Sequence, residues 1–190
     1  MPAAPPGAGR TAFPTTTDLD VETETRSKLE AQFSQALTEH GAALSRLAAS
    51  YTGSAGDRDD LVQDIALAFW LALPTFRGDC SDRTFLFRIA HNRGIRHLSR
   101  RRAHLSLDAE GMDFEDPGPG IEAVLSEEQK RDWLLRAVRS VPIIYREVLV
   151  LSLEGLDYAE IAQVLGISDN NVGVRLNRAR QLLRKRLGEA

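Results

Sequence analysis

Residues 156–183 read LDYAEIAQVLGISDNNVGVRLNRARQLL, and this stretch decides how the C-terminal part of the chain folds. Asp157 precedes a short apolar run and has Glu160 three residues later, the pairing that caps the start of a helix. Gly166 then offers the backbone freedom of a tight turn, and Ser168 can cap a second helix. The pattern predicts a helix-turn-helix.

The second of these helices is predicted to be amphipathic. Wound at 100° per residue, it gathers its apolar residues on one arc, namely Val172, Leu176, Ala179, Leu183 and Leu187. The opposite face carries Asn170, Asn171, Val174, Asn177, Arg178, Gln181 and Lys185, with Arg175, Arg180, Arg184 and Arg186 beside it. Amides and cations can read base edges and grip phosphates, so the face indicates DNA. A solvated basic surface helix is the alternative.

Charge is distributed unevenly along the chain. The 190 residues have a net charge of -3, yet from Asp169 to Glu189 there are six cations and no intervening carboxylate. Between Leu105 and Glu128 there are eight carboxylates and no Lys or Arg. Such a segment repels itself and cannot form a core. We therefore predict an acidic linker over residues 105–120, between domains at 26–104 and 121–190, after a disordered tail at 1–25.

The fold is predicted to be all-α, because no stretch alternates apolar and polar residues as a strand does. Ser27 and Glu30 resemble a capping box at a helix start, as do Ser126 and Gln129. The helices before the helix-turn-helix are predicted over residues 27–51, 57–73, 84–102, 126–140 and 142–155. Cysteine occurs once, as Cys80, so no internal disulfide can form.

Two segments of the N-terminal domain favour partners. From Ile65 onward its second helix is apolar on almost every side, so it is either buried all round or lends a face to a partner. The third helix places Phe85 and Phe87 among arginines, after the loop FRGDCSD at 76–82. Aromatics beside cations suit single-stranded nucleic acid. Alternatively, the aromatics belong to the core and the arginines are solvated.

Several function classes are disfavoured. The longest apolar run, Ile65–Leu73, is too short to span a membrane, and the prolines near the N-terminus do not suit a signal peptide, so a cytoplasmic location is expected. Carboxylates and histidines could suggest a metal or catalytic site, at Asp59, Asp60, Asp64, His91, His97 and His104. The histidines are six and seven residues apart, which is wrong for adjacent helical ligands. With no phosphate loop or nucleophile elbow, we expect no cofactor, no metal and no enzyme.

Together the two halves resemble the extracytoplasmic-function (ECF) sigma factors of bacterial RNA polymerase. The similarity lies in DLVQDIALAFW, FRGDCSDRTFLFRIAHN and the stretch from VPIIYREVLVL to RARQLLRKRL, in this order. It implies a region 2-like domain at 26–104 and a region 4-like domain at 121–190. A stand-alone helix-turn-helix regulator is the alternative.

The resemblance implies a role for each motif. The clamp helices of the polymerase's largest subunit would be contacted by Asp60, Leu61, Gln63, Asp64 and Trp70, and the flap of the polymerase by residues 144–153. The −10 element, opened to single strands, would be held by Phe76, Arg77, Asp79, Ser81, Arg88, His91, Asn92, Ile95, Arg96, Arg100, Arg101 and Arg102. The −35 duplex would meet Ser168, Asn170, Asn171, Val174, Arg175, Asn177, Arg178, Arg180, Gln181 and Lys185.

The resemblance also implies further partners and shows departures from the family pattern. The linker would pass through the cleft and RNA exit path of the polymerase, and an anti-sigma protein would hold the factor inactive. Gly173 removes a side chain from the recognition helix and weakens that helix by about 1 kcal/mol relative to alanine. Phe85 and Phe87 replace the Trp and Tyr frequent in the family. These departures concern promoter preference, not the fold.

Overall fold

A computed structural model describes residues 16–107 and 126–188, with side chains from Glu24 to Arg101 in the first range. The described residues contain no strand, in agreement with the predicted all-α class. They form seven α-helices and a short 3-10 helix at Leu73–Thr75. The α-helices are α1 (Thr16–Tyr51), α2 (Ala55–Ala72), α3 (Asp82–Leu107), α4 (Glu127–Ser140), α5 (Ile143–Leu153), α6 (Tyr158–Leu165) and α7 (Asp169–Gly188).

The first domain consists of α1, α2 and α3, which pack against one another. Ser54 caps α2, because its hydroxyl oxygen accepts the Asp57 backbone N–H at 3.1 Å. Pro74 lies in the 3-10 turn that follows α2. The domain core is built from fully buried side chains of all three helices, including Leu44, Leu47, Ile65, Phe69, Leu86 and Phe87.

Helix α1 begins earlier than the sequence pattern indicated. It starts at Thr16, so the predicted helix start at Ser27 is wrong, and residues 16–25 of the predicted tail are helical. Two ion pairs between residues one turn apart, Arg26–Glu30 at 2.9 Å and Lys28–Glu24 at 2.7 Å, occupy the polar side chains around Ser27. Such i,i+4 pairs favour continuation of a helix. Residues 1–15 lie outside the described residues.

The predicted linker is only partly described. Helix α3 extends to Leu107, so residues 105–107 are helical instead of linker. Residues 108–125, which include the rest of the predicted linker and the start of the predicted second domain, are outside the described part of the chain.

The second domain consists of α4 to α7, and its predicted caps are confirmed. Ser126 with Gln129 and Asp157 with Glu160 form complete capping boxes at the starts of α4 and α6. Gly166 ends α6 in the left-handed conformation, at φ 65°, which turns the chain into α7. The two domains contact each other, since α4 and α5 lie against α1 and α6 lies against α3.

Candidate nucleic-acid interface

Helix α7 has the predicted inner and outer faces. Val172, Leu176 and Ala179 are completely or almost completely buried against α5 and α6. The outer face is exposed and carries most of the predicted DNA contacts, namely Asn170, Val174, Asn177, Arg178, Arg180, Gln181 and Lys185. Val174 is 57% exposed, a high value for an apolar side chain surrounded by amides and cations. This surface offers the groups that read a major groove.

The start of α7 is fixed by its cap. The Ser168 hydroxyl oxygen accepts the Asn171 backbone N–H at 3.3 Å, so Ser168 is the helix cap that the sequence predicted. Ile167 packs against the core beside it and sets the spacing of the two helices. The cap and the Gly166 turn therefore fix the orientation of α7 relative to α6.

Two residues predicted to meet DNA are engaged within the domain. The Arg175 guanidinium is half-buried, and its Nε donates to Asn171 Oδ1 at 3.0 Å. Glu147 on α5 lies near enough for the Arg175 charge to act on it: burial raises the pKa of Glu147, and Arg175 opposes that rise. Asn171 therefore holds the Arg175 side chain in place through this hydrogen bond.

Tyr158 lies over Gly173. A Cβ added at Gly173 would be 3.4 Å from Tyr158 Cε2, an ordinary contact distance. Tyr158 is the first residue of α6 and is 46% exposed. The Tyr158 ring therefore borders the part of the α7 surface where Gly173 has no side chain.

In the first domain, the loop after α2 exposes Arg77, Asp79 and Ser81. Phe76 is half-buried instead, because its ring stacks on Phe85 with centroids 4.4 Å apart. Ser81 caps the start of α3, since its Oγ accepts the Thr84 backbone N–H at 3.1 Å. The loop therefore has exposed polar residues at its tip, and the ring of Phe76 anchors its start to α3.

Helix α3 divides the predicted −10 residues into two groups. Asn92, Arg96 and Arg100 are exposed, and Arg101 is half-buried. Ile95 packs against the core, and Arg88 Nη2 donates to Cys80 Sγ at 3.0 Å. The side chain of Arg102 lies outside the described residues. The exposed group is free to meet nucleic acid, whereas Ile95 and Arg88 are held by contacts within the domain.

His91 faces α1 in this structure. Its Nδ1 lies 3.1 Å from the hydroxyl of Tyr51. Burial raises the pKa of Tyr51, so the hydroxyl keeps its proton and can donate to the imidazole. Burial also lowers the pKa of His91 to about 4, which keeps the ring neutral. His91 therefore joins α3 to α1 and carries no charge for a phosphate.

The predicted polymerase-contacting residues on α2 are not all accessible. Leu61 is 3% exposed and packs in the core, so it offers no surface to a partner in this structure. Asp60 and Gln63 are exposed, whereas Asp64 accepts from Arg93 Nη1 at 3.3 Å. Trp70 is half-buried, edge-on to Phe33 with centroids 5.3 Å apart. Leu61 lies on the same helix as Asp60 and Gln63, but on the side of α2 that faces the core.

Sequence reasoning missed two residues of this surface, Leu67 and Leu71. They are 58% and 66% exposed and lie on α2 beside Trp70. Leu67 and Trp70 line a shallow apolar groove together with Phe33, Ala66 and Glu30. The sequence did contain a signal for exposed apolar residues on α2, because a helix that is apolar on every side cannot bury all of its apolar side chains in a three-helix domain. An exposed apolar strip of this kind can serve as an interaction surface.

Two further findings bear on alternative functions. In residues 16–107 and 126–188, no three His, Cys, Asp or Glu side chains are grouped closely enough to hold a metal ion. No described helix is both long and apolar enough to span a membrane.

Comparisons with known proteins agree with the geometry of both domains. Residues 36–104 match the family model of sigma-70 region 2, and residues 131–183 match that of sigma-70 region 4. The RNA polymerase sigma factor NccH of Alcaligenes xylosoxydans xylosoxydans is 33% identical over 80% of this chain and 84% of its own length. The ECF RNA polymerase sigma-E factor of Escherichia coli K12 is also 33% identical, over 67% of this chain and 72% of its own.

Two solved structures have a similar fold. CnrH in complex with the cytosolic domain of CnrY has a TM-score of 0.61 and 32% identity, over 82% of this chain and 87% of CnrH. The sigma factor RpoE with the anti-sigma factor NepR, from Bartonella quintana, has a TM-score of 0.66 and 25% identity, over 82% and 96%. With both sigma-70 regions present in order, the chain belongs to the ECF group of RNA polymerase sigma factors, the proteins that direct transcription initiation.

Proposed function

We propose that this sigma factor recognises promoters through two separate surfaces, one on each domain. The first surface comprises the 76–81 loop and the exposed side of α3, and it would hold the melted −10 strand. The second is the outer face of α7, which would read the −35 duplex. The observation that supports this most is the exposed outer face of α7, with Val174 at its centre.

For the −35 element, the exposed side chains divide by chemistry. Arg178 and Asn177 can hydrogen-bond to base edges, and Val174 suits the methyl group of thymine. Arg180 and Lys185 extend from the same exposed side and suit phosphates, which position a protein without reading sequence. Arg175, held by Asn171, would contact the backbone only after rotating outward.

For the −10 element, Asn92 and Arg96 are exposed side chains of α3, the helix that follows the loop of Arg77 and Asp79. Single strands are bound by cations along the backbone and by stacking of bases on aromatic or guanidinium planes. We assign Arg96 and Arg100 to the backbone and Asn92 to an unpaired base.

Core RNA polymerase would dock on α2 through Leu67, Leu71 and Trp70, with Asp60 and Gln63 at the edge. The central apolar side chains of an interface usually carry most of its binding energy, and the polar rim carries less. We also propose an anti-sigma partner, because both solved relatives named above are complexes, one with CnrY and one with the anti-sigma factor NepR.

The test is reconstituted transcription. Core polymerase with this protein should produce run-off transcripts from specific sites in genomic DNA, and sequencing their ends should reveal shared −10 and −35 sequences. Failure to direct any specific start would overturn the proposal. A stand-alone helix-turn-helix regulator predicts the opposite preference: tight binding to duplex DNA alone and no binding to core polymerase.

A further inference from the structure

Arg93 of α3 is paired with a carboxylate of the neighbouring helix. Its Nη1 donates to Asp64 Oδ1 of α2 at 3.3 Å, and the two side chains are 30% and 43% exposed. Solvent therefore reaches both partners, and a solvent-exposed ion pair contributes little to stability. Asp64 and Arg93 can accordingly exchange each other for new partners while both helices stay folded.

Arg93 belongs to a line of three arginines along α3, which we call the arginine line. Arg93, Arg96 and Arg100 follow one another at steps of three and four residues, so at about 100° per residue they fall within an arc of about 60°. With a rise of about 1.5 Å per residue, the line is about 10 Å long. Arg96 and Arg100 are exposed. A line of cations suits the backbone of a nucleic-acid strand, and Asp64 occupies its first position.

Asp64 also belongs to a line of residues on its own helix. Asp64, Leu67 and Leu71 have the same steps of three and four residues, so they too fall within an arc of about 60° on α2. Leu67 and Leu71 are the exposed apolar side chains of the proposed polymerase-docking surface. A partner that covers both leucines reaches Asp64, which lies less than one turn before Leu67. This carboxylate therefore lies where the docking surface meets the arginine line.

We propose that Arg93 is a further nucleic-acid contact of this sigma factor and that Asp64 controls when it is available. In the free protein, Asp64 holds Arg93. When core polymerase covers α2 and offers a cationic side chain to Asp64, the carboxylate changes partner, and Arg93 joins Arg96 and Arg100 on the backbone of the melted strand. This inference rests on the proposed function, because it links the docking surface to the −10 surface within the first domain.

The charge of Asp64 acts on a bound strand in two ways. In the free protein a phosphate must compete with the carboxylate for Arg93, and the carboxylate also repels that phosphate, because like charges at close range disfavour each other. A polymerase cation on Asp64 removes both effects. Single-stranded DNA should therefore bind the α3 surface more tightly after the sigma factor has docked on polymerase than before it.

The test is a mutant cycle on the free, full-length chain, with fluorescein-labelled oligo(dT) as the probe. Anisotropy titrations at several salt concentrations give the affinity and the slope of its logarithm against that of the salt concentration. The variants are Asp64→Asn, Arg93→Ala, the two combined, and Asp64→Asn with Arg93→Lys. Glu24→Gln is the matched control, because it removes the same charge and breaks an exposed ion pair with Lys28 within α1. Circular dichroism checks that each variant is folded.

We expect Asp64→Asn to bind the probe with a slope about 0.7 steeper than the wild type, the increment of one more phosphate contact on a single strand, and about fivefold more tightly at about 0.1 M salt. Arg93→Ala should have little effect alone and should remove this gain in the Asp64→Asn background. Arg93→Lys should preserve the gain, since lysine keeps the charge. Equal slopes for Asp64→Asn and Glu24→Gln, or the same loss from Arg93→Ala in both backgrounds, would overturn the proposal.

Reconstituted holoenzyme tests the part played by polymerase. On a duplex with a pre-melted bubble, Arg93→Ala should weaken holoenzyme binding about fivefold, although the same change has little effect on the free chain. Equal binding by wild-type and Arg93→Ala holoenzymes would also overturn the proposal. The cycle on the free chain requires neither polymerase nor a promoter, so a failure of initiation alone would count only against the proposed function.

Discussion

At the scale of single residues, Gly94 allows α1 and α3 to approach closely. A Cβ at this position would lie 2.5 Å from the ring of Tyr51, which is a clash with a buried aromatic. The same tyrosine holds His91, one turn earlier on α3. Tyr51 therefore fills the space between two helices, and its surroundings are sensitive to one added carbon.

Gly94→Ala is expected to destabilise the protein by about 1–3 kcal/mol, because overpacking displaces the Tyr51 ring. The free energy of unfolding in urea measures the effect. Gly41→Ala is the matched control: Gly41 is also helical, nothing lies within 4 Å of its added Cβ, and the change should stabilise by about 0.5–1 kcal/mol. Equal effects of the two substitutions would contradict the close packing.

His91 should make the stability depend on pH. Burial lowers its pKa to about 4 from the usual 6.5. Between these values the unfolded chain binds a proton that the folded chain excludes, so the contribution is complete above pH 6.5 and is lost as the pH falls, by about 1 kcal/mol per pH unit. Urea unfolding between pH 7 and pH 4 should show this slope, and His91→Gln should flatten it. An unchanged slope in the variant would show that other groups cause it.

At the scale of elements, α7 offers a surface whose side chains can be removed without touching the core. Arg178 is exposed on the face opposite Val172 and Leu176. Arg178→Ala should cost about 1–3 kcal/mol of discrimination at one −35 base pair. Run-off transcription from promoters that differ at single −35 positions measures this cost. Arg136→Ala, an exposed arginine on α4, should leave discrimination intact; equal losses in both variants would contradict base reading.

Helix α2 offers a cleaner test of polymerase docking than the residues predicted from sequence. Trp70 contacts Phe33 and Asp64 contacts Arg93, so changing either also disturbs the domain. Leu67→Glu alters only an exposed side chain and should weaken core polymerase binding about tenfold, or roughly 1.4 kcal/mol. Fluorescence titration with labelled polymerase measures it. Lys28→Glu, at an exposed position on α1, serves as control, and equal binding by wild type and Leu67→Glu would contradict docking on α2.

The elements with strong local signals were predictable. The capping boxes at Ser126 and Asp157, the turn at Gly166 and the buried stripe of α7 depend on neighbours in sequence, and each is confirmed. The predicted start of α1 was wrong, because the resemblance of Ser27 and Glu30 to a capping box is outweighed by the ion pairs around Ser27. The inward position of His91 depends on Tyr51 of α1, which is 40 residues away in the chain. Periodicity within one helix does not contain that information.

At the scale of the whole molecule, Arg146 connects stability to the relation between the domains. Arg146→Leu would leave three carbonyls without this donor, at Val141, Arg139 and Ser50, and should cost about 2–4 kcal/mol. Calorimetry should show one unfolding transition for the wild type and two for the variant, because losing this guanidinium weakens the coupling between the domains. Arg136→Leu, on the exposed side of α4, should keep a single transition. A single transition in both variants would contradict the coupling.

The end of α1 and the arginines of α4 and α5 that contact it face different evolutionary constraints. The acceptors that Arg139 and Arg146 use at Ala49 and Ser50 are main-chain oxygens, which every amino acid possesses. Any small residue at 49 or 50 would preserve them, whereas lysine in place of Arg146 would lose the forked geometry. Substitutions are therefore tolerated at the end of α1 and are not tolerated at the arginines that contact it. A homologue could retain these contacts between the domains while sharing little identity at the end of its first helix.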